Sequence, residues 1–409
     1  MIQRAGDAVT GSGGVAAVAK ENLLLRARDL RDDLGRWRRH LHAHPELSGQ
    51  ETETAAYIAA ELGAMGLAPR LPQPNAVVAE IGADPDGPTI ALRADIDALP
   101  IAEETGLPFS SRRPGVMHAC GHDGHAAVLL GVARILTARA DRLRGRARLI
   151  FQPAEEVPPG GARELISAGV LGGVSAVIGL HLWCPLPTGK AIVVSGPAWA
   201  AADRFRAVIH GRGGHGAKPQ EAVDALEAAC RCVVALQSIV SRAINPLDAA
   251  VVTVGTLHAG EAFNIVADAA VLEGTVRAFD EDVRRLIKGR IAEVLAHTAA
   301  AAGARAELDY VDGYPVLRND AKVAEVMRQA AGRYLGEKAV GDGPREMAAD
   351  DFARYAECVP GCYMSLGATA AGRPGYPNHH PHFTLDEDAL PVGAAILAET
   401  ALHLMQRRA

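Results

Sequence analysis

Apolar positions along this chain recur with two periods, and the switches between them mark out its elements. Between 23 and 41, Leu30, Leu34 and Trp37 fall at helical spacing and predict a helix. A second helix is predicted over 51–65, with Thr52 or Thr54 near its start and Gly66 closing it. Residues 76–81 and 89–93 are short β-type runs, and 126–136 is a strongly apolar helix. Strands follow at 147–151 and 176–180. Short apolar strands alternating with helices predict an α/β fold with a mainly parallel sheet.

The texture changes near Gly196-Pro197. Residues 205–210 alternate as a strand and run into Gly211-Arg212-Gly213-Gly214-His215. A long helix over 222–243, strands over 250–257 and 270–278, and a helix over 282–302 come next. This β-α-β-β-α order describes a two-layer α+β unit set into the first. After Tyr314-Pro315 the α/β texture resumes. The expected organisation is a disordered Gly/Ala-rich leader over 1–20, an α/β domain over 21–197 and 312–409, and an inserted domain over 198–311.

Bulk properties narrow the functional classes. A chain of 409 residues has two domains as its natural prior. The formal charge of −6 lacks the basic excess of a nucleic-acid binder. No run of 18 apolar residues occurs, so no membrane span is expected, and the N-terminus has no signal-type apolar core. The six cysteines do not form a disulfide framework in a chain this long. Cys230 and Cys232 are not face-mates, and Pro360 interrupts any helix joining Cys358 to Cys362. A reduced, cytoplasmic setting fits them.

The chemistry concentrates in Met117-His118-Ala119-Cys120-Gly121-His122-Asp123-Gly124-His125. Cys and His are preferred ligands of zinc and its transition-metal neighbours. Gly121 and Gly124 are expected to bend the backbone so that these side chains converge. Open α/β sheets place their sites beyond the carboxyl ends of the strands. Asp95 and Asp97, the Cys/His cluster, Glu155-Glu156 and His181 all fall there. One Asp after a strand is most simply a cap, but four polar clusters at successive strand ends are hard to explain as caps. Adjacent carboxylates repel unless a cation neutralises one, which suits one ligand beside one proton-transfer group. Asn378-His379-His380-Pro381-His382 adds imidazoles in a segment that Pro377 and Pro381 should hold extended. Asp350-Asp351 read most simply as helix N-terminal acids.

Taken together these residues resemble the binuclear metal aminoacylase/carboxypeptidase family, in the branch of hippurate hydrolases and indoleacetyl-amino-acid hydrolases. The resemblance covers about 34 to the end. It rests on Arg38-Arg39-His40-Leu41-His42-Ala43-His44-Pro45-Glu46-Leu47-Ser48, Leu92-Arg93-Ala94-Asp95-Ile96-Asp97-Ala98-Leu99-Pro100 and the Cys/His cluster. It continues through Phe151-Gln152-Pro153-Ala154-Glu155-Glu156, Gly179-Leu180-His181, Gly211-Arg212-Gly213-Gly214-His215 and Gly274-Thr275-Val276-Arg277. It implies a zinc-peptidase-like catalytic domain with a ferredoxin-like dimerisation or lid domain. It also implies two divalent ions per subunit (manganese, zinc, cobalt or nickel) and a homodimer or dimer-based homo-oligomer.

Carried over residue by residue, Cys120, His122, Glu156, His181 and His379 match the metal ligands, and Glu155 the general base. Asp97 matches the aspartate that orients the ligands. His118, Asp123 and His125 are then supporting groups. His380 and His382 compete with His379, which fits the pattern of His, small residue, Pro, polar residue and Phe better. His215 matches a histidine that reaches the partner subunit's site, and Asn264 and Arg277 match substrate-holding residues. The implied reaction cleaves the amide of an N-acyl amino acid, for example N-benzoyl or N-acetyl. Dipeptides and N-acetyl-diaminopimelate are the competing substrate classes, with no nucleic acid or membrane partner. A non-catalytic metal-binding protein on this fold would be expected to lack Glu155 or several ligands, and all are present. There are departures: Ala267 replaces a Pro and should loosen the Asn264 loop, Ala349-Asp350-Asp351-Phe352 shortens one acid of a Ser-Glu-Asp-Phe block, and the stretch 372–378 differs from the Leu that precedes the last metal-binding His.

Overall fold

The apolar strands of the first region lie side by side in an eight-stranded mixed sheet. In the computed structural model, which describes residues 22–406 apart from 83, 85, 373 and 374, its four central strands are parallel. In order across the sheet these are Arg146–Gln152, Thr89–Asp95, Val174–Pro187 and Gly361–Thr369. Every residue of Thr89–Asp95 is buried, as a parallel sheet covered on both faces requires. Ile90, Leu92 and Ala94 point into one core, under the helices Arg31–Ala43, His122–Thr137 and Ala389–Gln406. Ala91 and Ile150 point into the other, with Phe352 and Tyr355. The expected leader over 1–20 lies outside the described residues.

Local rules explain most boundaries. The Asp320 carboxylate accepts the amides of Lys322 and Val323 and starts the helix Ala321–Leu335. The helix predicted over 23–41 is two, Leu23–Asp29 and Arg31–Ala43, meeting at Leu30. The apolar helix predicted from 126 begins at His122, so half of the Cys/His cluster is its first turn. Gly121 does bend the chain, at φ 95°. Gly124 has another role, because a Cβ there would sit 2.5 Å from Leu182. It lets the helix press onto the sheet. The helix Ala389–Gln406 is long and apolar enough to cross a membrane, but 72% of it is buried inside the protein, as in a core helix.

The second region forms a separate four-stranded antiparallel sheet in the order Ala250–Ala259, Ala269–Ala278, Ala201–His210, Arg305–Tyr314. The helices Ala225–Ser238 and Glu281–Ala301 bury their own core against it. The fourth strand completes a β-α-β-β-α-β order that the hydrophobic pattern had left one strand short. The helix predicted over 222–243 ends at Ser238 and closes in a wider turn, Ile239–Ala243. Gly196–Trp199 pairs with Leu317–Asn319 where the chain leaves and returns.

Candidate metal centre

The site forms where the parallel strands end. Register places His181 opposite Ser365 and Gly179 opposite Arg93, so His181 lies level with the end of Thr89–Asp95. Its strand does not stop there, as the pattern over 176–180 had suggested, but continues to Pro187. Asp97 follows the neighbouring strand, and Glu155-Glu156 follow Arg146–Gln152.

Cys120, His122 and His181 bring donor atoms within 4.8 Å of one another, and so do Cys120, Glu156 and His379. His122, Glu155 and Glu156 form a third such group. Cys120 Sγ lies 3.5 Å from His181 Nε2, and Glu156 Oε1 lies 3.2 Å from His379 Nε2 and 3.8 Å from His122 Nε2. The five residues named as ligands thus converge in two overlapping groups that share Cys120. The rings are oriented from behind. His122 Nδ1 donates to the Asp97 carbonyl and carboxylate, each at 3.0 Å. His181 Nδ1 donates to the Leu182 carbonyl at 3.1 Å, and burial pushes its pKa well down, which leaves Nε2 with a lone pair facing the centre. His122 Nε2 and Glu156 Oε1 are buried without a hydrogen-bond partner among the described residues. Such orphaned atoms, in a set of one thiol, three imidazoles and a carboxylate, fit divalent transition-metal ions.

The electrostatics also call for cations. Burial raises the Cys120 thiol well above its usual range, and the Glu156 and Glu155 carboxylates add to it. Burial and the charges of Asp350, Glu156, Asp351 and Asp97 likewise push the Glu155 carboxyl well up. Burial alone would lower His122, but Asp95 and Asp97 outweigh it and bring it to about 10. Bound divalent charge inverts this logic, stabilising thiolate and carboxylate and leaving imidazole neutral.

The other histidines are engaged elsewhere or stand apart. His125 donates to Asp95 at 2.5 Å and accepts the Leu182 amide at 2.8 Å, so both its nitrogens are used. Asp123 binds Arg38 and His42 rather than a ligand. His118 is buried with neither nitrogen bonded among the described residues, and burial lowers it to about 4. His380 stacks on Tyr376, and His382 bonds to Glu104, so neither joins a donor group. The segment around His379 is a turn rather than the extended stretch that Pro377 and Pro381 suggested. His379 adopts φ 70°, its amide bonds the Ala119 carbonyl at 2.7 Å, and Asn378 bonds the Cys120 carbonyl.

A cavity of about 450 Å³ opens on this cluster, with Trp183, Trp199, Tyr314 and Arg277 on its other walls. Larger cavities of about 660 and 550 Å³ elsewhere contain none of the site residues. His215 and Asn264 do not line it. They lie together on an exposed two-stranded ladder where His215 pairs with Ile265 and the Gly216 amide bonds the Asn264 carbonyl at 2.8 Å. Ala267 does not untie this loop, since Val266 still pairs with Gly214.

One network was missed from the sequence. Arg93 is fully buried and reaches Asp95 and Asp351 at 2.7 Å and Asp350 at 3.3 Å. Asp350 does bond the Phe352 amide at the helix start, as expected. The two acids also neutralise an arginine and stand beside Glu155. An Arg set between apolar residues in the run Ile90-Ala91-Leu92-Arg93-Ala94 was the available signal.

A profile of the Peptidase family M20/M25/M40 matches residues 91–403. The N-acetyl-L-cysteine deacetylase of Bacillus subtilis (strain 168) is 43% identical over 372 residues, 90% of this chain and 87% of that protein. The N-acyl-L-amino acid amidohydrolase of Geobacillus stearothermophilus is 45% identical over 305 residues, 74% and 82% of the two chains. A solved Bacillus subtilis structure, described as a dinuclear metal-binding peptidase of the M20 family, superposes with a TM-score of 0.81 at 38% identity, covering 93% of this chain and 99% of that one. A profile spanning most of the chain and relatives this similar along nearly their whole length leave one conclusion: this chain belongs to the M20/M25/M40 peptidase family.

Proposed function

We propose that this metal-dependent amide hydrolase cleaves N-acyl amino acids to a carboxylic acid and a free amino acid. The observation that carries the reading is the convergence of Cys120, His122, Glu156, His181 and His379 beside Glu155, at a cavity that all of them but His122 line together with Arg277. Those five residues would hold two divalent ions, with Cys120 and His122 contributed by a helix start, Glu156 by the loop after Arg146–Gln152, His181 by its strand and His379 by a turn. When bound, the ions make a water acidic and polarise the amide carbonyl. Glu155 takes a proton from the attacking water and delivers it to the leaving nitrogen. Asp97 keeps His122 and the Glu156 amide in place, through bonds of 3.0 and 2.9 Å. Arg277 pairs with the free α-carboxylate, which suits a planar guanidinium. Trp183 and Trp199, 5.3 Å apart, offer an apolar wall to the acyl group. All six cysteines are free thiols, in keeping with a reducing cytoplasm.

The test is hydrolysis by manganese- or zinc-loaded protein of N-acetyl and N-benzoyl amino acids, dipeptides and N-acetyl-diaminopimelate. The reading requires the N-acyl amino acids to have the highest kcat/KM. A preference for dipeptides or for N-acetyl-diaminopimelate would replace it.

In this reading the unit over 198–311 is the dimerisation and lid domain, and His215 serves the partner's site. Support comes from its exposure, its place outside the cavity, and the exposed Phe263 and Ile265 beside it. His215→Ala is expected to lower kcat about 100-fold, the typical effect of losing one oxyanion donor. Mixing His215→Ala chains with Glu155→Gln chains should restore activity in about a quarter of the sites, because half the dimers are mixed and each has one complete site. No recovery on mixing would place His215 outside the partner's chemistry.

A further inference from the structure

We propose that Glu51 is a positioning residue for Glu155, holding the left-handed turn at Ala154 through which the general base enters the site. The inference rests on Glu155 being that base.

Glu51 is 0% exposed and immediately precedes the helix Thr52–Ala64, yet its side chain does not cap that helix. It turns instead to the loop that follows the strand Arg146–Gln152. Its Oε1 accepts the Ala154 amide at 2.7 Å and the Gly49 amide at 2.9 Å, and its Oε2 accepts Asn75 Nδ2 at 2.9 Å. Among the described residues Glu51 has no ion pair, and a buried carboxylate so placed is costly unless hydrogen bonds satisfy it, as these three do.

The group it holds is unusual. Ala154 has φ 53°, and among the described residues only His379, at φ 70°, is another non-glycine residue with positive φ. Both sit at this centre, and L side chains rarely adopt that conformation without external support. The Ala154 turn redirects the chain after Arg146–Gln152 so that Glu155 and Glu156 point into one cavity. Two residues on, the Glu156 amide donates to Asp97 at 2.9 Å, and the Tyr314 hydroxyl donates to the Glu155 carbonyl at 2.5 Å. Glu155 is thus gripped from both sides by buried acids, Asp97 through the following amide and Glu51 through the preceding one. Asp97 already has a place in the reading above, and Glu51 has none.

Glu51→Ala releases the Ala154 amide, and the turn can relax toward negative φ. Misplacing a base by about 1 Å costs on the order of 100-fold in rate, so kcat should fall about 100-fold with KM little changed. Glu51→Gln keeps Oε1 for both backbone amides, and Asn75 can rotate its carbonyl toward the new NH₂. That variant should stay within about threefold of the native kcat. Glu51→Ala combined with Ala154→Gly should recover at least about tenfold over Glu51→Ala, because glycine adopts this φ unaided.

The kcat and KM of the metal-loaded variants, with folding followed by circular dichroism, decide the matter. A native kcat in Glu51→Ala, a Glu51→Gln loss as large as that of Glu51→Ala, or a double variant no better than the single would each overturn the proposal. If Glu51→Ala does not fold, Glu51→Gln still decides, since loss of activity there with the fold kept overturns the role and retained activity supports it. Glu155→Gln run in parallel separates the two readings. If it is active, the base is misassigned. If it is inactive while Glu51→Ala is native, only the positioning role fails.

Discussion

Glu155→Gln is expected to lower kcat about 10⁴-fold while the protein keeps its full metal content, at the upper end of what a general acid–base contributes. The upper end applies because in the proposed mechanism one carboxylate would serve both proton transfers, to and from the same side of the amide. Glutamine preserves the shape and the carbonyl oxygen but cannot accept the proton. The residue is 6% exposed and surrounded by Glu156, Asp350, Asp351 and Asp97, so no bulk water replaces it easily. Steady-state kinetics with metal analysis of the same sample checks this. A kcat near the native value would assign the base elsewhere. Loss of metal together with activity would make Glu155 a ligand.

Arg93→Leu is expected to destabilise the fold by about 5 kcal/mol, the upper end of the cost of breaking a buried ion pair. The upper end applies because three carboxylates share this one guanidinium. Asp95 and Asp351 bond it at 2.7 Å and Asp350 at 3.3 Å, all fully buried. Gln152 joins the network by accepting from Arg93 Nε and donating to Asp351. Without the arginine the acids must take up protons or water. Arg93→Lys should fall between the two, since an ammonium cannot make the planar set of bonds. Urea unfolding at neutral pH measures both. A shift under about 1 kcal/mol for Arg93→Leu would mean the acids are neutral already.

Most of the fold was readable because it is local. Strand and helix periods placed the α/β region, and the four polar clusters at strand ends located the site, since parallel strands bring their carboxyl ends together. The strand Arg305–Tyr314 was also readable, because Ala306, Leu308 and Tyr310 alternate with exposed Arg305, Glu307 and Asp309. What could not be read is what distant segments impose. His181 continues its strand to Pro187 because Gly361–Thr369, far along the chain, pairs with it. The left-handed turns at Ala154 and His379 have no glycine to announce them and depend on amide partners elsewhere: Glu51 for one, and the Ala119 carbonyl for the other. Asp350 and Asp351 look like caps until the buried Arg93 is placed opposite them. The ligand set itself came from the resemblance; composition alone left His118, His125, His380 and His382 as equal candidates. Hydrogen bonding occupies three of them: His125 spends both nitrogens on Asp95 and Leu182, His380 Nδ1 accepts the His382 amide, and His382 bonds Glu104.

This centre is expected to hold two divalent ions, and amide hydrolysis to require them. Protein freed of metal with a chelator and dialysed should not hydrolyse N-acetyl amino acids. Titration with manganese or zinc should restore activity, reaching its maximum at about two ions per chain. Metal-free protein that hydrolyses these substrates at the rate of the reconstituted enzyme would show that the ions are not required.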